Sequence, residues 1–143
     1  MAVTRGRQSL VEDTTYLLSR VQKGVGCFLI LIFINYRYVI STVGPQGEYP
    51  EILTKCYSNC LTLLSESSLR SIAFPCISTG VYGYPNTAAC SVALRSVRGW
   101  LEENKNHEKI DRVVFCLFLQ KDQDIYSKML PLVFPLGPEP AKL

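Results

Sequence analysis

Residues 78–85 read STGVYGYP, a set of residue types suited to holding an anion. Gly80 and Gly83 carry no Cβ, so the backbone there can take positive φ and approach a ligand closely. Successive backbone N–H groups in such a loop form a nest for phosphate oxygens. Ser78 and Thr79 add hydroxyl donors, and Tyr82 and Tyr84 offer flat faces to a ribose or a base. A helix that starts just after the loop brings its positive N-terminal end to the same place. Residue chemistry alone leaves a second reading open, because glycines between a strand and a helix also make ordinary tight turns.

The other reactive residue types are less suggestive. Six cysteines, at 27, 56, 60, 76, 90 and 116, lie mostly in apolar runs, and no two form a CxxC pair. The single histidine, His107, sits in a polar stretch away from them, so no tetrahedral zinc spacing exists and no metal or cofactor is expected. Cys56 and Cys60 are one helical turn apart and read as core positions. Asp13 is the only aspartate before residue 111 and reads as a surface charge on a helix.

A loop of this kind needs a strand before it and a helix after it. Residues 70–77 (RSIAFPCI) read as a short buried strand, and residues 86–103 carry Ala89, Val92, Ala93, Val97, Trp100 and Leu101 at helical spacing. Upstream, residues 37–43 (RYVISTV) read as a strand closed by Gly44-Pro45, and residues 50–66 as an amphipathic helix with Leu53, Cys56, Tyr57, Cys60, Leu61 and Leu64 on one face. Downstream come a polar turn over 102–109, a strand over 111–119 and a helix over 122–130. From residue 37 the order is therefore β-α-β-α-β-α, which predicts an α/β fold with a largely parallel sheet. The first third reads as a helix over 8–22 and an apolar strand over 26–34. The run VGCFLILIFI is too short to span a bilayer, with a signal-anchor as the lesser alternative. Residues 136–143 read as a flexible, proline-rich tail.

The chain has 143 residues, 48% hydrophobic and 19% charged, enough for one buried core. Its net charge of +3 is small and scattered, which argues against a nucleic-acid surface. No membrane partner is expected either.

Three runs together resemble the MacroD-type macrodomain family. The run FPCISTGVYGYPNTAA (74–89) resembles the family's second ligand loop. The run RYVISTVGP (37–45) resembles the strand usually written KYVIHTVGP, and VVFCLFLQKDQDIY (113–126) resembles the final strand and helix start. Their order and spacing agree across residues 37–135. The resemblance implies a three-layer α-β-α fold with a mixed sheet. It also implies an ADP-ribose site in which Ser78, Thr79, Gly80, Val81, Tyr82, Gly83 and Tyr84 wrap the diphosphate and distal ribose, largely through backbone amides. By the same resemblance Phe118 packs on the adenine, although on residue pattern alone it reads equally as a core aromatic. The family hydrolyses mono-ADP-ribose from acidic side chains and deacetylates O-acetyl-ADP-ribose, without a metal.

Residues 1–36 carry none of the family's upstream motifs: no GDIT, no NAAN and no glycine-rich GGGVDGAIH loop with its catalytic aspartate. Ser41 stands where the family has histidine. The domain is therefore expected to be truncated on its N-terminal side, with 1–36 a divergent segment, as in a shortened isoform. Three functional readings follow: a hydrolase lineage with catalysis lost, a non-catalytic reader of ADP-ribose or mono-ADP-ribosylated protein, and a non-functional fragment. An intracellular location is expected, in cytoplasm or nucleus. The C-terminal Ala-Lys-Leu leaves peroxisome open, and the Arg-bearing N-terminus leaves mitochondrion open.

Overall fold

A computed structural model describes residues 2–3 and 38–135. The helix expected over 8–22, the strand over 26–34, Asp13 and the tail lie outside the described residues. Strand β1 is Ala2–Val3 and β2 is Tyr38–Val39. Helix α1 (Pro50–Glu66), β3 (Ser71–Pro75) and α2 (Asn86–Glu102) follow. A 3-10 segment (Glu103–Glu108), β4 (Arg112–Cys116) and α3 (Gln120–Val133) complete the order. The sheet runs β2-β1-β3-β4. β1 is antiparallel to both its neighbours, while β3 and β4 are parallel, from Ser71 opposite Arg112 to Pro75 opposite Cys116. The sheet is thus mixed, as the resemblance implied.

The helices form where the apolar spacing placed them. α1 begins on Pro50, whose fixed φ suits a first helical turn, and it buries Leu53, Cys56, Tyr57, Cys60, Leu61 and Leu64. It stops where Ser68 turns left-handed at φ 55°, with the Leu69 N–H donating to the Leu64 carbonyl at 3.0 Å. α2 buries Ala89, Cys90, Ala93, Leu94, Val97 and Trp100. β3 alternates, turning Ile72 and Phe74 inward. Aromatic rings carry the packing across the sheet: Tyr57 on Phe74 at 4.9 Å, Phe74 on Phe115 at 6.2 Å, and Phe115 on Tyr126 at 5.2 Å. The three described helices share the sheet face that bears these rings.

The strands are shorter than expected. Among the described residues β2 spans two of the expected 37–43, and they pair with β1 as Ala2 opposite Val39 and Val3 opposite Tyr38. β4 ends at Cys116 and not at 119, because its partner β3 ends at Pro75. Leu117, Phe118 and Leu119 are thereby released from the sheet. α3 is longer than expected and accommodates Pro131 in its last turn. The polar turn after α2 folds through left-handed Asn104 and Lys105, pinned by buried Asn106, whose Nδ2 donates to the Trp100 carbonyl at 2.9 Å.

Candidate functional site

Because β3 and β4 are parallel and end in register, the segments after them emerge at one edge of the sheet, where ligands of α/β folds bind. Residues 76–85 leave β3 there, and residues 117–119 leave β4.

The first segment is a closed loop with open amides. Ser78 takes left-handed φ (66°), and Thr79 Oγ1 donates to the Cys76 carbonyl at 3.2 Å. The Tyr84 N–H donates back to the Ser78 carbonyl at 3.0 Å, and the Gly83 N–H to the Gly80 carbonyl at 3.0 Å. Gly83 needs its missing Cβ, since its φ is +68°. The N–H groups of residues 79–82 have no backbone acceptor among the described residues. α2 starts from Pro85 with no side-chain cap and no acidic residue in its own first turn, although a carboxylate from α3, that of Asp122, reaches its first residue, Asn86. The loop is therefore more than a tight turn: beside a helix N-terminus it holds N–H groups that meet no backbone acceptor among the described residues.

A second segment braces the loop from the side. The Gly47 N–H donates to the Tyr82 carbonyl at 2.7 Å. Gly44 lies against Ile77 and Ser78, so that a Cβ on it would run into the Ser78 hydroxyl. Cys56 Sγ holds the Val43 carbonyl at 3.3 Å. Sequence patterning gave Gly44 only the role of closing a strand; its close approach to Ser78 is a contact across more than thirty residues. Ser41, where the family has histidine, is exposed in this region.

The loop's side chains divide. Gly80, Val81 and Gly83 are exposed, and Tyr82 keeps 38% of its surface open. Tyr84 corrects the expectation of a second open face: its ring is 1% exposed and belongs to the core. Its phenol pKa is raised by burial and by the nearby Glu48 carboxylate. The Tyr84 hydroxyl and the Ser78 hydroxyl are buried with no partner among the described residues. Phe118 also corrects one of its two readings. It is 77% exposed beyond the end of β4, so it is no core aromatic.

Beneath the loop lie two residues that sequence reasoning did not single out. Asp122, 4% exposed, accepts a 2.6 Å hydrogen bond from Asn86 Nδ2. Both are polar residues in first helical turns and look like ordinary capping positions in the sequence. Among the described residues, no group of three or more potential metal ligands converges.

The family model described as "Macro domain" matches residues 9–93. The chain belongs to the macrodomain family. It is 52% identical over 141 residues to ADP-ribose glycohydrolase MACROD1 of Bos taurus, across 94% of this chain and 43% of that one. It is 47% identical over 106 residues to ADP-ribose glycohydrolase MACROD2 of Mus musculus, across 70% and 22%. Among solved structures it resembles the Trypanosoma brucei macrodomain in complex with ADP-ribose, with a TM-score of 0.65 and 43% identity over 68% of this chain and 41% of that one. The chain thus spans less than half the length of these curated relatives. The family match begins at residue 9, so this macrodomain's likeness to the family reaches further back than the three motifs alone.

Proposed function

We propose that this macrodomain binds ADP-ribose, free or attached to a protein, and does so without turning it over. The diphosphate sits on the open amides of residues 79–82 and the end of α2, the distal ribose lies along Val81 and Tyr82, and Phe118 carries the adenine. Ser78 and Gly83 shape the loop, and Tyr84 anchors it. The observation that carries this reading is the shared edge: β3 and β4 end in register, and the loop 76–85 and the exposed Phe118 both lie just beyond those ends. The solved macrodomain bound to ADP-ribose supports the ligand class.

The absence of turnover is argued from the residues present. Hydrolysis needs a held water and a group to activate it. The sequence has no NAAN run and no glycine-rich loop with an aspartate. One loop and one aromatic ring supply part of a full set of contacts, so a dissociation constant on the order of 10 µM to 1 mM is expected. Calorimetric titration with ADP-ribose tests binding, and no heat at millimolar ligand would sink it. Release of ADP-ribose from a mono-ADP-ribosylated protein, above a buffer control, would overturn the claim of no turnover. The relatives named as glycohydrolases favour that second outcome as the alternative reading.

A further inference from the structure

Asp122 occupies a position that neither ligand contact nor ordinary capping explains. It lies in the first turn of α3, four residues after the exposed Phe118. Its carboxylate is buried, and a buried carboxylate is tolerated only with partners that satisfy it. Its hydrogen-bond partner comes from the end of the loop. Asn86, the first residue of α2, donates its amide to Asp122 Oδ1 at 2.6 Å. Cys76, the first residue after β3, lies near the same carboxylate: burial, then Asp122, pushes its thiol up to about 12. Cys76 also fixes the loop from within, because its carbonyl accepts the Thr79 hydroxyl at 3.2 Å. Meanwhile the Asp122 N–H donates to the Leu119 carbonyl at 3.0 Å, and Gln123 Nε2 to the Leu117 carbonyl at 3.4 Å. These bonds set the path of the residues on either side of Phe118.

We propose that Asp122 is a positioning residue, which locks the phosphate-binding loop to the aromatic ledge by holding Asn86, at the loop's second stem, to the first turn of α3. This rests on the reading of residues 78–85 and Phe118 as one ADP-ribose site. It goes further by naming what fixes the distance between the site's two halves. A ligand that spans both halves depends on that distance. A ligand that uses mainly one half does not.

The test is a swap within the full chain, read with ADP-ribose and with adenosine monophosphate as probes. Asn86→Asp sets two carboxylates against each other and breaks the clamp. It should weaken ADP-ribose by about tenfold or more and adenosine monophosphate by less than about threefold. Adding Asp122→Asn restores a donor opposite an acceptor with the polarity reversed, and the double variant should recover to within about threefold of the parent. Asp122→Asn alone keeps the shape and one acceptor, so it serves as the milder break if Asn86→Asp fails to fold. Unchanged ADP-ribose affinity in the single variants would overturn the clamp. So would an equal loss for both probes, or a double variant no better than the singles. If the parent chain binds neither probe, the binding reading fails and the clamp is still decided by amide hydrogen exchange. Faster exchange at 77–86 together with 117–119 in Asn86→Asp supports it, and unchanged exchange refutes it.

Discussion

Gly80→Glu separates the ligand from the fold. A Cβ built at Gly80 meets no atom within 4 Å, and the residue is exposed with φ outside the left-handed region. Surface changes of this kind cost within about 0.5 kcal/mol, so the melting temperature should hold. Binding should not hold. The glutamate would stand amid the amides that take the diphosphate, and two unit charges about 4 Å apart at an effective dielectric near 20 repel by about 4 kcal/mol. Water and salt at an exposed site reduce that to roughly 2 kcal/mol for each phosphate charge. Two such charges give roughly 3–4 kcal/mol, a loss of about 10² to 10³-fold in affinity. Calorimetry with ADP-ribose measures it. Gly80→Ala is the control, since a methyl group finds open space and should change affinity little. Because the repulsion is electrostatic, raising salt should recover part of the loss. A Gly80→Glu protein with unchanged melting and unchanged affinity would refute the proposed site; one that melts early would refute the reading of Gly80 as unpacked.

Gly44→Ala should act in the opposite way, since its Cβ would meet Ile77 Cγ2 at 2.5 Å and run into Ser78. Overpacking of this kind costs about 1–3 kcal/mol, measurable by urea unfolding, and a variant as stable as the parent would contradict the packing. Phe118→Ala should leave stability unchanged and weaken ADP-ribose about tenfold through lost base stacking, so a large drop in stability would show that the ring is packed instead. The buried thiols predict a pH profile. Cys60 and Cys90 are raised by burial to about 11 and Cys76 to about 12, against 9.0 for a free thiol. A raised folded pKa means that the native state holds the proton longer. Their contribution is thus fully present below pH 9 and is lost as pH rises through 11 to 12. The urea midpoint should be level from pH 7 to 8.5 and fall by pH 10.5; a rise would contradict the burial of these thiols.

How much the sequence conveyed depended on what decides each element. α1 and α2 agree with the expected 50–66 and 86–103 almost to the residue. Their limits are local: a proline at the first turn, an apolar face, a loop at each end. Strand lengths are not local, because a strand ends where its partner ends. That is why residues 117–119 read as strand and lie outside the ladder. Phe118 stayed ambiguous for the same reason, and the end of β3 forty residues earlier settles its exposure. Tyr84 shows the converse: a tyrosine beside two glycines looks available to a ligand, yet its ring completes the core against α1 and α2. The contact of Gly44 with Ser78 and the bond from Asn86 to Asp122 join positions more than thirty residues apart, and no single-sequence spacing encodes them.

These same contacts bear on the proposal that this edge binds without turning over its ligand. An activating carboxylate must reach a water beside the ribose. Asp122 is buried under the loop, with its carboxylate engaged by Asn86, so it holds the site and cannot serve it. The Ser78 hydroxyl is buried against Gly44, and the Thr79 hydroxyl is committed to the Cys76 carbonyl. Glu48 is exposed, on the segment that braces the loop through Gly47, and its charge is felt at Tyr84. It is an acid whose placement lets it approach the loop from outside. Glu48 is therefore the acid on the bracing segment to test first for any hydrolysis at this edge. The variant Glu48→Gln should lower any such activity while sparing ADP-ribose affinity, and hydrolysis unchanged in that variant would rule Glu48 out as the activating acid.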